Sequence, residues 1–145
     1  MSNKLKVLFL CTGNSCRSQM AEGFARHLRG SLLDVSSAGT APKKMNSLAV
    51  KVMNELGIDI SDQTSKSVEV LAEQTFDYVI TVCDEAHEHC PLWPGRGTIV
   101  HSGFDDPPRL AANASTEEEA LELYRRVRDE IKAYVMTLPQ SLVAS

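Results

Sequence analysis

Four consecutive apolar residues, Val7 to Leu10, close on a cysteine, Cys11, and give way at once to small polar residues, "TGNS". A strand with no polar position over that length has no side to offer to water, so both of its faces must be covered. Continuous burial of this kind points to a parallel sheet, and parallel strands need helical crossovers between them. The following residues supply such crossovers. "RSQMAEGFARHLRG" has Met20, Phe24 and Leu28 at helical spacing, with Gly30 as its stop. "DVSSAGT" predicts a short strand. "NSLAVKVMNELG" predicts a helix capped by Asn46, with a stripe of Ala49, Met53 and Leu56, and closed by Gly57. A weaker helix is expected over 67–73. "FDYVITVC" predicts a strong strand ending on Cys83, and "GTIVHSG" a shorter one. The last helix is expected to open with a capping box, Ser115-x-x-Glu118, and to turn Tyr124, Val127, Ile131 and Leu138 inward.

The order β-α-β-α-(α)-β-loop-β-α predicts an α/β fold, a four-stranded parallel sheet with helices on both faces. A length of 145 residues, with no repeat, low-complexity tract or linker, fits a single domain over 1–145. Ligands of such sheets bind beyond the carboxyl ends of the strands, and Cys11 and Cys83 are both expected at that edge. The net charge of -4 excludes a broad nucleic-acid or membrane surface but not a local anion pocket. No apolar stretch approaches the roughly 20 residues that cross a bilayer. Met1 to Lys6 is short and polar and does not read as a signal peptide. The expected form is a cytoplasmic monomer. In that setting Cys11, Cys16, Cys83 and Cys90 read as thiols, ligands or catalysts rather than structural disulfides. Their C-x4-C and C-x6-C spacings are wider than zinc knuckles. No resident metal or cofactor is expected.

"CTGNSCRS" carries the chemistry. A loop between a strand and a helix N-terminus turns successive N–H groups toward one point. Gly13 allows positive φ and Asn14 tolerates it. The result is a nest for a tetrahedral oxyanion, strengthened by the helix dipole. The expected anion contacts are Thr12, Gly13, Asn14, Ser15, Cys16 and Arg17. Arg17 can grip two oxygens with its planar fork. The same field lowers the pKa of Cys11, and Ser15 or Ser18 could donate a hydrogen bond to its thiolate. An anion is thereby held directly over a nucleophile.

"VLFLCTGNSCRSQMAEGFA" resembles the phosphate loop and first helix of the low-molecular-weight protein tyrosine phosphatase fold. It is closer still to the thioredoxin-coupled arsenate reductases built on that fold. "SSAGT", "LGIDISDQTS", "VITVCDEAHEHCP", "GFDDP" and "RRVRDEI" are similar to that family's other blocks, in order. The resemblance implies that Cys11 is the nucleophile, that Cys83 and Cys90 are a redox pair, and that thioredoxin recycles them. Arsenate would be the substrate. Asp106, before Pro107, matches the acid that protonates the departing oxygen, and its neighbour Asp105 is expected to raise its pKa. Cys16 matches a family cysteine and is given no redox role. Some relatives bind potassium through ligands matching Asn14, Glu22, Ser37 and Thr64, but Lys66 stands where they carry an acid. The alternatives are a phosphotyrosine phosphatase and a non-catalytic thiol sensor. Against the phosphatase, Pro107, Pro108 and Arg109 follow Asp106 where aromatic residues usually hold a phenyl ring.

Overall fold

The computed structural model describes residues 4–84 and 93–143. Four strands form one sheet: β1 (Leu5–Cys11), β2 (Leu33–Gly39), β3 (Thr75–Thr81) and β4 (Arg96–His101). Their order is β2-β1-β3-β4, and every neighbouring pair is parallel. The apolar run of β1 therefore lies inside the sheet, and Val7, Leu8, Phe9 and Leu10 are all fully buried.

The pleat divides that run between two cores. Val7, Phe9 and Cys11 join the larger one, with Met20 and Phe24 of α1 (Arg17–Arg29), Met53 of α2 (Ser47–Asn54) and Tyr124, Val127 and Ile131 of α5 (Glu117–Val135). Leu8 and Leu10 join the smaller one, beneath α3 (Val68–Leu71), with Phe76, Val79 and Trp93. Helices cover both faces as expected, but unequally. Two further short helices, α4 (Pro107–Leu110) and α6 (Gln140–Val143), complete the described elements together with a 3-10 turn at Ala111–Asn113.

After β1 the chain moves outward to β2, then crosses back to place β3 on β1's other side. The loop after β1 thus leaves from the switch point, where the connections part and a crevice opens.

Local chemistry explains most boundaries. Asn46 caps α2, its Oδ1 accepting from the N–H groups of Leu48 and Ala49. Gly57 closes the following turn at φ +78°, where Ile58 N–H returns to Met53 O at 3.1 Å. Three expectations shift. The α5 cap is Thr116, not Ser115: Thr116 Oγ1 accepts from Glu119 N–H, and Glu119 Oε2 reaches back to Ser115 N–H. The partners are the same type one residue later, because α5 begins at Glu117. Leu56 falls beyond α2 and is 40% exposed. Strand β3 ends at Thr81, so Cys83 lies two residues past it, although still fully buried.

Candidate active site

Cys11 is the last residue of β1 and 4% exposed. Beyond it, each carbonyl of the loop is pinned away from the crevice. Thr12 O accepts from Ala41 N–H, Gly13 O from Lys43 N–H, Ser15 O from Asn46 N–H and Cys16 O from Met20 N–H, at 2.9 to 3.0 Å. Asn14 O accepts from Gln19 Nε2 at 2.9 Å and Ser65 Oγ at 2.6 Å. A carbonyl and the next residue's N–H point opposite ways across a planar peptide. Fixing the carbonyls of 12–16 outward therefore turns the N–H groups of 13–17 inward. Cys16 makes no side-chain cap bond at the start of α1, which leaves the helix's first N–H groups for an anion.

Asn14 is the bolt behind this loop. It takes φ +47° and is fully buried. Its Nδ2 donates to Ser18 Oγ at 2.9 Å, and its Oδ1 accepts from Lys66 N–H at 2.7 Å. Gly39, beside Cys11 in the sheet register, is needed for the same close packing. A Cβ there would lie 2.5 Å from Thr12 O and 2.7 Å from Cys11 O.

The two loop cysteines differ in kind. Burial pushes the Cys16 thiol well above its ordinary pKa, with Arg17 opposing only in part. Cys16 is held as a neutral thiol, which suits a packing role. Cys83 is disulfide-bonded. Val82 N–H bonds Leu10 O at 3.0 Å, so Cys11 and Cys83 extend from adjacent strands at the same sheet edge and share the larger core. Cys90 lies outside the described residues.

Arg17 is 4% exposed and donates to Phe104 O at 3.0 Å. Its Nη2 stands 3.7 Å from Asp106 Oδ1. Asp106 caps α4, with Pro107 as the first helical residue, and lines the crevice with Pro108. The two adjacent carboxylates turn to different partners. Asp105 turns to Arg126 of α5 at 3.0 Å, so its charge is compensated outside the crevice. Asp106 alone faces the site.

The crevice has a volume of about 320 Å³. Thr12, Gly13, Asn14, Ser15, Cys16, Arg17 and Asp106 all line it with Cys11, while Ser18 stands behind the loop, fully buried. Sequence reasoning missed its outer wall: Lys43, Lys44 and Asn46, from the connection between β2 and α2. Asn46 Nδ2 donates to Tyr124 Oη at 3.0 Å, and burial pushes that phenol up to about 12, so it backs the wall as a neutral group. The only signal was "PKKMN" following a strand end. Among the described lining residues none is aromatic.

Residues 6–145 match the family model described as low molecular weight phosphotyrosine protein phosphatase. The chain belongs to that family. It is 49% identical to the arsenate reductase of Shouchella clausii, over 93% of this chain and 94% of that protein. A solved structure titled an arsenate reductase in the phosphate binding state superposes with a TM-score of 0.75. The two are 36% identical, over 92% of this chain and 95% of that one. A Corynebacterium glutamicum thioredoxin-dependent arsenate reductase superposes at 0.58 and 26% identity, covering 94% of this chain and 64% of that one.

The residues matching a potassium site meet in two pairs: Glu22 with Ser37 directly, and Asn14 O with Thr64 O through Gln19 Nε2, which donates to both. Ser37 Oγ donates to Glu22 Oε1 at 2.5 Å, and both are buried. Arg26, one turn on, donates to Glu22 Oε2 at 2.7 Å. Thr64 O accepts from Gln19 Nε2 and, at 2.8 Å, from the Lys66 ammonium. The cluster's acid and one of its carbonyls thus already hold cationic side chains.

Proposed function

We propose that this chain reduces arsenate to arsenite through three sulfurs, Cys11, Cys83 and Cys90, recycled by thioredoxin in a thiol-reducing compartment such as the cytoplasm. The carrying observation is the pairing of an oxyanion nest over Cys11 with a disulfide-bonded Cys83 at the same sheet edge. A phosphatase needs the first feature and has no use for the second. The identity with arsenate reductases over almost the whole chain supports the same reading.

In this mechanism the nest and Arg17 bind the oxyanion, and Ser18 donates a hydrogen bond that favours the Cys11 thiolate. Cys11 attacks arsenic. Asp106 gives a proton to the departing oxygen, which leaves as water, and a Cys11–S–As(V) bond remains. The Cys83 thiolate then attacks Cys11 Sγ. The S–As electron pair stays on arsenic, which leaves as arsenite, and Cys11–Cys83 forms. Cys90 attacks Cys83 Sγ, freeing Cys11 as thiolate and closing Cys83–Cys90. A dithiol protein reduces that bond. A disulfide at Cys83, with Cys11 as a thiol, is what this cycle leaves at rest under oxidation.

The relay is tested by stoichiometry. Cys90→Ser should release one arsenite per chain and stop as Cys11–Cys83. Cys83→Ser should release none without an added small thiol. Rapid-quench arsenite measurement and mass spectrometry of alkylated peptides read both. Sustained thioredoxin-driven turnover by Cys90→Ser would remove Cys90 from the scheme. Equal phosphatase activity in both variants and the parent, with no arsenite from any, would replace the reading with a phosphatase.

A further inference from the structure

We infer that Lys43 and Lys44 form an outer anion station at the mouth of the crevice, which captures a dianionic tetrahedral oxyanion before it enters the nest. The inference rests on the oxyanion-binding part of the reading above.

The two lysines are placed there, not merely near. Lys43 N–H bonds Gly13 O at 2.9 Å and Asn46 N–H bonds Ser15 O at 3.0 Å, so the connection 41–46 is laced along the loop itself. The Lys43 stem lies over Gly13. A Cβ built on Gly13 would meet Lys43 Cδ at 3.4 Å and Cγ at 3.6 Å. Both lysines line the crevice and both are exposed. Neither is in any ion pair among the described residues, whereas Arg17 stands 3.7 Å from Asp106, which offsets part of its charge. Among the described lining residues the cations are thus Arg17, Lys43 and Lys44, against the Asp106 carboxylate and the Cys11 sulfur.

The chain as a whole repels the ligand. Its net charge of -4 opposes a dianion, and the nest's donors act only at contact range. Two uncompensated ammonium groups at the entrance reverse the sign of the field where the ligand must pass. A unit charge some 8 Å from a dianion in a largely aqueous mouth changes affinity by about fivefold at low salt. Two of them, partly screened, predict about tenfold together. Their stations lie beyond the reacting atoms, so the loss falls on capture rather than on the bond-making steps.

The test uses the whole reduced chain with inorganic phosphate as probe, by calorimetry, beside arsenate kinetics. The double variant Lys43→Gln/Lys44→Gln should bind phosphate about tenfold more weakly at about 0.01 M ionic strength, with the gap closing near about 1 M. KM for arsenate should rise by a similar factor, more than kcat falls. The Lys43→Arg/Lys44→Arg variant should keep the parent's affinity. Unchanged phosphate affinity and salt slope in the Gln variant would overturn the inference. So would a loss that persists at high salt or that arginine does not rescue, since packing would then be the cause. A parent that releases no arsenite, yet shows the lysine-dependent phosphate binding, would end the reductase reading and leave the station standing.

Discussion

Two polar regions of this molecule are built from similar parts to opposite ends. In the loop 12–16 the carbonyls are bonded backward and the N–H groups of 13–17 converge on a crevice with Arg17. At the seam between α2 and α5, Glu55 accepts three hydrogen bonds from Arg125, two of them from Nε, and one from Arg128, at 2.8 to 3.1 Å. Those arginines hold the Glu55 carboxyl down at about 2. Arg125 also pairs with Glu118 and Glu122 at 2.6 Å. The seam spends its arginine donors on its own carboxylates. The nest leaves donors over. Charge density alone therefore does not mark a site; unspent hydrogen-bonding capacity, aimed at one point, does.

The sharpest way to break this contrast is Arg17→Lys. Lysine keeps the charge but loses the fork, and it cannot both hold Phe104 O and reach toward the ligand. Arsenate turnover should fall at least about 100-fold, or about 2.7 kcal/mol in kcat/KM, with little change in melting temperature. A rate within a few-fold of the parent would show that the nest's backbone alone suffices.

A smaller effect on turnover, with a loss of stability beside it, is expected from Asn14→Ala. It removes the bonds to Ser18 and Lys66 N–H and places alanine at φ +47°. Together these cost about 2–4 kcal/mol in denaturant unfolding. Asn14→Gly separates the causes: it restores the backbone's freedom but not the bonds, and should recover about 1 kcal/mol. Full recovery by glycine would mean that the side-chain bolt adds nothing.

The smallest effect belongs to the seam. Glu55 has a folded pKa of about 2, below the ordinary carboxylate value of 4.5. Its contribution is therefore complete above about pH 4.5 and lost as pH falls toward 2. The Glu55 side chain is 32% exposed, so solvent screening limits the contribution to about 1 kcal/mol. Glu55→Gln should be less stable than the parent by that amount at neutral pH, with the two converging in acid and arsenate turnover unaffected. A difference that stays constant from pH 6 to about pH 2.5 would assign it to packing instead.

Much of this was legible in the chain. The apolar run of β1 led correctly to a parallel sheet, because burial on both faces excludes polar side chains whatever the neighbours are. Asn46 marked the start of α2 because capping is a local requirement, whereas the helix stops at its C-cap Glu55 and Gly57 only closes the turn beyond it, at positive φ. The α5 cap was placed one residue early because Ser115 and Thr116 offer the same hydroxyl, each with a glutamate three residues on. Nothing local chooses between them; the packing of Tyr124, Val127 and Ile131 fixes the phase of the helix. The divergence of Asp105 and Asp106 was illegible for a similar reason. It depends on Arg126, 21 residues away, on another element.

The sequence by itself determined what is short-range: the buried strand, the glycine and asparagine that let the loop turn, the arginine at the helix start and the cysteine beneath. Tertiary structure alone decided which of these groups are spent and which remain available. The connection 41–46 binds the loop's carbonyls and brings two lysines to the crevice. Burial holds Cys16 neutral within the same loop as Cys11. The physical reason is range. Backbone preference acts over a few residues, whereas desolvation and charge compensation depend on whatever the fold places within several ångströms.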